Sequence, residues 1–141
     1  MILREICQWV EDHSKDPVTF IPQFEIGTNL IYGHRLTESP VRCVLASETS
    51  VGESDFYLVD KVSKIVTFVA RSNSYEEASQ DIDDIFTLLH GSVGWDLPIL
   101  SSGNAYHIQL IQSIGLPVYL GQDESDLYEF SCSFEFKIQR Q

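Results

Sequence analysis

The sequence predicts an α+β fold in which a mostly antiparallel or mixed β-sheet carries two helices packed on one of its faces. Apolar and polar residues alternate without a break from Tyr128 to Ile138, as expected for a strand with one buried face. The segment Val62–Ser72 is apolar on both faces and rich in β-branched residues, which predicts a central strand. Two further segments have apolar residues at helical spacing, one at the N-terminus and one after Ser74.

The N-terminal helix is predicted over Ile2–His13. It ends before Asp16-Pro17, because the residue preceding a proline disfavours the helical conformation. From Val18 to Tyr32 the apolar residues are interrupted by proline and glycine, so short extended pieces are expected there. Arg42–Glu48 is predicted to be the next strand, and a polar loop at Thr49–Ser54 follows it.

The second helix has the clearest local signals. Ser74 is the predicted N-cap, Glu77 completes a capping box three residues later, and Gly91 supplies the stop. Its acidic residues are expected to lie mainly on the solvent side. The predicted buried stripe consists of Ala78, Ile82, Ile85, Phe86 and Leu89.

The C-terminal third is predicted to contain only strands and turns. Strands are expected at Tyr106–Ile114 and Leu116–Leu120, an acidic turn at Gly121–Asp126, and the closing strand from Tyr128. The polar face of that last strand indicates a sheet covered on one side only in the free subunit. Such a face offers a surface to a partner, so assembly rather than catalysis is the first hypothesis.

Composition limits the possible functions. The 141 residues predict one domain spanning 1–141, and the net charge of -12 argues against direct nucleic-acid binding, which requires Lys and Arg. The N-terminus lacks the basic start and apolar centre of a signal peptide, so synthesis in a cytoplasm without membrane association is expected. Cys7, Cys43 and Cys132 are far apart in sequence and are predicted to be buried thiols.

No convincing active site or cofactor site is predicted. Asp123 or Asp126 followed by Glu135 and Lys137 loosely resembles a metal-nuclease pattern, but an exposed alternating strand often contains Glu-x-Lys. The acidic run Asp81–Asp84 is interpreted as a solvated helix face, since side chains at these spacings diverge on a helix. The four histidines, His13, His34, His90 and His107, show no zinc-binding spacing.

Two segments are distinctive in this chain: Val-Ala-Arg-Ser-Asn-Ser-Tyr-Glu-Glu-Ala from Val69 and Pro-Val-Tyr-Leu-Gly-Gln-Asp-Glu from Pro117. Neither segment is a catalytic signature. Together with Gly27–Gly33 and the order of the predicted elements, they resemble the tail terminator (minor capsid, tail completion) proteins of long-tailed bacteriophages. The resemblance covers nearly the whole chain.

The resemblance implies a structural virion protein. It implies a ring of this chain, a hexamer by resemblance, on the head-proximal end of the tail tube, where it stops tube polymerisation and offers the surface for head joining. The implied partners are the tail tube protein and a head-side neck or stopper protein, with DNA passing through the lumen without specific binding. The acidic composition suits such a passage, because like charge prevents sticking.

Candidate contact residues follow from the enrichment of aromatic residues and arginine at interfaces. Arg71 is the first choice, because it ends the central strand and is expected at an edge of the sheet. Its replacement by glutamate is therefore expected to leave the fold intact but to prevent assembly. The other candidates are Tyr32, Arg35, Tyr57, Trp95 and Tyr119. Each of these aromatic residues has core packing as its competing interpretation.

Two alternatives to the terminator hypothesis remain. Another neck component, such as a head-side stopper or an adaptor, would have a similar acidic composition without catalytic motifs. The predicted strand content disfavours an adaptor, because adaptors tend to be helical. A small metal-dependent nuclease would rest on Asp123, Glu135 and Lys137 alone, and divalent-metal binding would distinguish it from a ring protein.

Overall fold

A computed structural model of the chain describes residues 2–33, 41–50, 61–90, 93–97 and 106–140. Two helices and seven strands follow one another in these ranges. They are α1 (Ile2–His13), β1 (Leu30–Tyr32), β2 (Cys43–Ser50), β3 (Lys61–Ser72), α2 (Tyr75–Leu89), β4 (Val93–Leu97), β5 (Tyr106–Ser113), β6 (Val118–Gln122) and β7 (Tyr128–Arg140).

The strands form one mixed sheet, which confirms the predicted α+β fold. The strand order is β1-β2-β3-β7-β5-β4. β3 runs along one edge of β7, while β5 and β6 share the other edge. Among the pairs that the described residues form, β1 with β2 is parallel and the others are antiparallel.

The core lies between the helices and the face of the sheet that the alternation in β7 predicts. Every second β7 side chain from Phe130 to Ile138 is buried, as predicted. The Phe68 ring of β3 meets Phe134 edge to face, with centroids 5.8 Å apart. The ring of Phe86 of α2 also lies near Phe134, with centroids 6.4 Å apart. The two central strands and α2 therefore share one aromatic contact.

α1 has the bounds that the sequence predicts. It buries Leu3, Ile6, Cys7 and Val10 in the core, while Trp9 is half-buried. The exposed His13 stacks on Trp9 with ring centroids 4.0 Å apart. α1 contacts β1, β2 and β4. Because β1 and β4 are the first and last strands in the order of the sheet, the sheet curves around this helix.

The start of α2 confirms the predicted N-cap and modifies the capping box. The Ser74 hydroxyl accepts a hydrogen bond from the backbone N–H of Glu77 at 3.5 Å. The Glu77 carboxylate does not complete the box by accepting from the Ser74 backbone. It accepts instead from the hydroxyl of buried Ser72 at 2.8 Å, and that hydroxyl accepts from the Ser74 N–H. The end of β3 and the first turn of α2 are thus bonded together.

The buried stripe of α2 includes an aspartate that the helical pattern assigns to the acidic run. Asp81 is 4% exposed, and its two oxygens accept hydrogen bonds from the Arg42 guanidinium, each at 3.0 Å. This bidentate pair joins the start of β2 to the middle of α2. Asp81 is therefore not solvated as predicted, while the predicted stripe residues are buried apart from half-buried Phe86.

Two features of the C-terminal half differ from the prediction. No strand is predicted at Val93–Leu97, but these residues, which include Trp95, form β4, and β4 pairs with β5. The register of β5 shifts between Ile108 and Leu110, so that Ile108 and Ile111 are both buried although their parity differs. The other predicted strands and the acidic turn are present within a few residues of their expected bounds.

The face of the sheet turned away from the helices, here called the outer face, is less exposed to solvent than predicted. Ser131, Ser133 and Glu135 of β7 are only half-exposed. At the end of the sheet where β2 begins, Cys43, Leu45 and Arg71 are buried on this face. The expectation that one side of the sheet is uniformly solvated is therefore wrong at that end.

None of the helices in the described ranges has both the length and the apolar character needed to cross a bilayer.

Candidate interaction surfaces

Arg71 does not lie at an edge of the sheet, and the sequence-based placement is wrong. It belongs to β3, which has β2 on one side and β7 on the other. The side chain is only 5% exposed, and its Nε donates to the backbone oxygen of Val41 at 3.1 Å. A glutamate there would place a carboxylate in a buried position, so the expectation of an unperturbed fold is withdrawn.

The surroundings of Arg71 form a polar cluster on the outer face. Arg71 lies opposite Cys43 in one ladder and opposite Glu129 in the other. Burial raises the pKa of the Cys43 thiol, although the Arg71 charge lowers it in part. Burial also raises the pKa of Glu129, with the carboxylate of Asp123 adding to the rise and Arg71 opposing it. This cluster ties three strands together rather than offering a free contact side chain.

Tyr119 of β6 lies at the surface, as a contact residue should. Its side chain is 44% exposed, and its ring contacts those of Tyr75 and Phe130 at centroid distances of 5.4 and 5.1 Å. Tyr75, the first residue of α2, also meets Tyr128 edge to face at 5.7 Å. These aromatic contacts attach β6 to the start of α2 and leave one side of both tyrosines open.

The segment around β6 exposes several apolar side chains, which are here called the β6 patch. Its members are the exposed side chains that precede and form β6: Ile114, Leu116, Val118, Tyr119 and Leu120. Leu116 is the most exposed, at 72%. Residues 113–122 contain no charged side chain. In the part of the chain that the structure describes, β6 pairs only with β7, so its other edge has no strand beside it.

A second exposed apolar surface lies between α1 and β1. Its three side chains, Val18, Phe20 and Ile21, are 82%, 74% and 66% exposed and are here called the apolar tip. Residues 17–24 contain no charged side chain. A soluble protein rarely displays adjacent large apolar side chains without a function, so this segment is a candidate contact.

The apolar tip is held by a hydrogen-bonded loop. The backbone of Asp16 donates to Ile21 O at 3.0 Å and accepts from Phe20 N at 2.9 Å. The Asp16 carboxylate accepts from the backbone N–H groups of Val18 and Thr19, which lowers its pKa. Phe20 has a φ of 59°, in the left-handed region that costs a residue other than glycine about 1–2 kcal/mol. The loop thus holds an aromatic side chain outward in a strained conformation.

The remaining sequence-based candidates have different outcomes. Tyr32 is half-buried and packs against the core from β1, so its packing role is clear while a contact role stays a prediction. The backbone of Trp95 lies in β4 opposite Ile108, and its side chain is outside what the structure describes. Arg35 and Tyr57 lie outside the described residues.

The nuclease alternative requires Asp123, Glu135 and Lys137 to converge, and they do not. Asp123 lies in the turn before β7 and accepts from the backbone N–H groups of Ser125 and Leu127. Glu135 is seven residues beyond Tyr128, about 23 Å along the strand, and accepts from Ser63 at 2.6 Å. No group of three or more potential metal ligands occurs within the described ranges. Asp81 of the acidic run is engaged by Arg42 instead.

Neither the apolar tip nor the aliphatic members of the β6 patch were predicted from the sequence. In each segment, however, the sequence contains a pattern that indicates exposed apolar side chains. Val18, Phe20 and Ile21 are apolar residues within four positions beside Pro17 and Pro22, where no regular element can bury them. From Ile114 to Leu120 the apolar residues do not alternate with polar ones, which is atypical of a strand with one solvated face.

Comparison with known proteins agrees with the resemblance seen in the sequence. Residues 4–140 match the family described as Bacteriophage tail terminator protein. The match thus covers nearly all of the chain, including α2, every strand described above and all but the first two residues of α1. A search of curated proteins gave no significant match.

Proposed function

Because this chain belongs to the bacteriophage tail terminator family, a family of structural phage proteins, we propose that it ends growth of the tail tube and provides the surface for head joining. In this proposal, copies of the chain assemble into a ring on the head-proximal end of the tube. The observation that carries the proposal is the family match over residues 4–140. Family membership places the protein in the tail of the virion, and its neighbours are other virion proteins.

The surface of the subunit supports an assembly function. A protein that acts alone has little use for two exposed apolar surfaces, whereas a ring subunit needs a different surface for each of its two neighbours. Tyr119 remains a proposed contact residue, since it is an exposed aromatic side chain within the β6 patch. Tyr32, Arg35 and Trp95 remain proposals as well. Arg71 acts inside the subunit and is no longer proposed as a contact.

The acidic charge supports the proposed passage of DNA through the ring. With a net charge of -12, the subunit repels phosphate rather than binding it. The protein is therefore proposed to let DNA slide without specific binding. A ring of six copies is proposed by analogy with the family alone.

Two experiments test the proposed function. Deletion of the gene from a phage that carries it is expected to give tails of uncontrolled length or heads without joined tails in electron micrographs. Complementation with the gene should restore normal virions. The purified protein, studied by size-exclusion chromatography with light scattering, is expected to form a closed oligomer either alone or with purified tail tube protein. Normal virions from the deletion phage would overturn the proposal.

A further inference from the structure

We propose that the apolar tip of one subunit docks on the β6 patch of the next copy of this chain, so that neighbours join head to tail. The proposal deepens the proposed function and rests on it, because it identifies the two surfaces that would meet between subunits. It commits to a second copy of this chain as the occupant of both surfaces. Three observations support this choice.

The first observation is that the apolar tip and the β6 patch are both exposed on the same subunit, so neither covers the other. The β6 patch follows the length of α2. Ser113, next to Ile114 of the patch, donates its backbone N–H to His90 at the end of α2, and Tyr119 contacts Tyr75 at its start. Two different exposed surfaces on one subunit can form a repeating heterologous contact between subunits.

The second observation concerns charge. Two copies of a chain with a net charge of -12 repel each other, and any contact between acidic surfaces adds local repulsion. The apolar tip and the β6 patch lie in segments 17–24 and 113–122, which contain no charged residue. α2, by contrast, exposes carboxylates such as Glu76 and Asp83. The uncharged segments are therefore surfaces on which identical copies can meet with little repulsion. The one carboxylate beside the apolar tip, that of Asp16, is hydrogen-bonded to the backbone of the tip itself.

The third observation is the preorganisation of the apolar tip. The loop is already closed by the backbone bonds between Asp16 and Ile21 and by the bonds to the Asp16 carboxylate. An ordered loop loses little entropy on binding, so more of the energy of apolar burial appears as affinity. Phe20 is the anchor, because it is the largest exposed side chain of the tip and aromatic residues are enriched at interfaces. The β6 patch supplies aliphatic side chains to receive it.

Cysteine cross-linking tests the contact directly. Phe20→Cys protein is mixed with Leu116→Cys protein under mild oxidation, in solution and in tails assembled from complemented phage. The three native cysteines are free and buried, and burial raises the pKa of Cys7 to about 12, so they do not compete. A disulfide-linked dimer is expected in the mixture. Thr28→Cys, at an exposed turn position, is the control and should give only background with Leu116→Cys.

Charge variants test whether the contact drives assembly. Phe20→Asp disables the apolar tip, and Leu116→Glu disables the β6 patch. Each side chain is exposed, so both variants should melt near wild type. Each variant alone should weaken self-association by at least about 30-fold, as loss of a hot spot does. A mixture of the two should form a one-to-one dimer that cannot extend, because one intact tip meets one intact patch. Thr28→Asp should assemble like wild type.

The outcomes separate this inference from the proposed function. If wild type assembles and both charge variants assemble equally well, the contact lies elsewhere and the inference is wrong while the ring remains. If the variants assemble normally but no longer bind purified tail tube protein, the surfaces belong to that neighbour and the inference is again wrong. If wild type assembles neither alone nor on tails, and tails are normal without it, the proposed function fails and the inference fails with it.

Discussion

Arg71 of β3 lies directly opposite Glu129 of β7, on the outer face of the sheet and away from the helices. The guanidinium is almost completely buried and donates to Val41 O, while Glu129 is half-buried beside it. Burial makes the fold sensitive to removal of the Arg71 charge, whereas burial disfavours the ionised form of Glu129. The first two predictions follow from this relationship.

Arg71→Glu is expected to destabilise the protein by about 3–5 kcal/mol, because it removes a buried cation and places a carboxylate opposite Glu129. Urea denaturation followed by circular dichroism measures the loss. Arg4→Glu is the matched control, since it makes the same charge change at an exposed position of α1 and should cost less than about 0.5 kcal/mol. Equal midpoints for both variants would contradict the buried role of Arg71.

The raised pKa of Glu129 predicts a specific pH dependence. Its pKa in the folded protein lies above the ordinary value of 4.5, so the folded state holds this proton more tightly than the unfolded state. The contribution of Glu129 to stability therefore falls as the pH rises from about 4.5 through the folded pKa. In thermal melts, wild type should lose stability relative to Glu129→Gln over this interval.

Asp16 is a control for that titration, because its pKa is shifted in the opposite direction. Hydrogen bonds from Thr19 and Val18 lower its pKa below the ordinary 3.8. Its contribution is therefore present above pH 3.8 and is lost as the pH falls through the lower folded value. Wild type should lose stability relative to Asp16→Asn on acidification. Parallel curves for wild type and Glu129→Gln would refute the assignment for Glu129.

Phe134→Ala is expected to destabilise by about 3–5 kcal/mol, because it leaves a cavity between Phe68 and Phe86 in the core. Glu135→Ala is the neighbouring control on the outer face. It should cost only about 1 kcal/mol, through loss of the hydrogen bond from Ser63. Urea denaturation measures the free energy of unfolding of both variants. Similar losses of stability would mean that the buried and outer faces of β7 are assigned incorrectly.

Ser74→Ala is expected to destabilise by about 1 kcal/mol, because its hydroxyl caps the first turn of α2. Ser79→Ala, within the helix, lacks that role and should cost less. Thermal or urea unfolding of the two variants compares the positions. A larger loss for Ser79→Ala would indicate that the helix starts elsewhere than at Tyr75.

The sequence by itself determined the elements whose signals are local. α1, the N-cap of α2 and the alternating burial of β7 depend on spacing within a few residues of one segment, and all three were predicted correctly. The central position of β3 was also predicted, because a strand that is apolar on both faces fits only inside a sheet. The family was recognisable from the residues of several such segments, and the match over 4–140 agrees.

The tertiary structure alone decided the features that depend on distant neighbours. Asp81 is buried because Arg42, 39 residues away in the chain, approaches α2. Arg71 is buried because β2 and β7 flank the end of β3, and neither spacing nor composition reveals strand order. β4 was missed because Gly94 and Asp96 weaken its local preference, while pairing with β5 supplies the missing stability.

The two candidate assembly surfaces show the same division. The sequence contains the apolar residues of the tip and of the β6 patch, and their lack of charge can be read directly from it. Their exposure depends on where the core ends, and the position of the β6 patch along α2 depends on tertiary contacts such as that between Tyr119 and Tyr75. Periodicity reports which residues share a face of one element. Only packing decides which of those faces another element covers and which remain available to a second subunit.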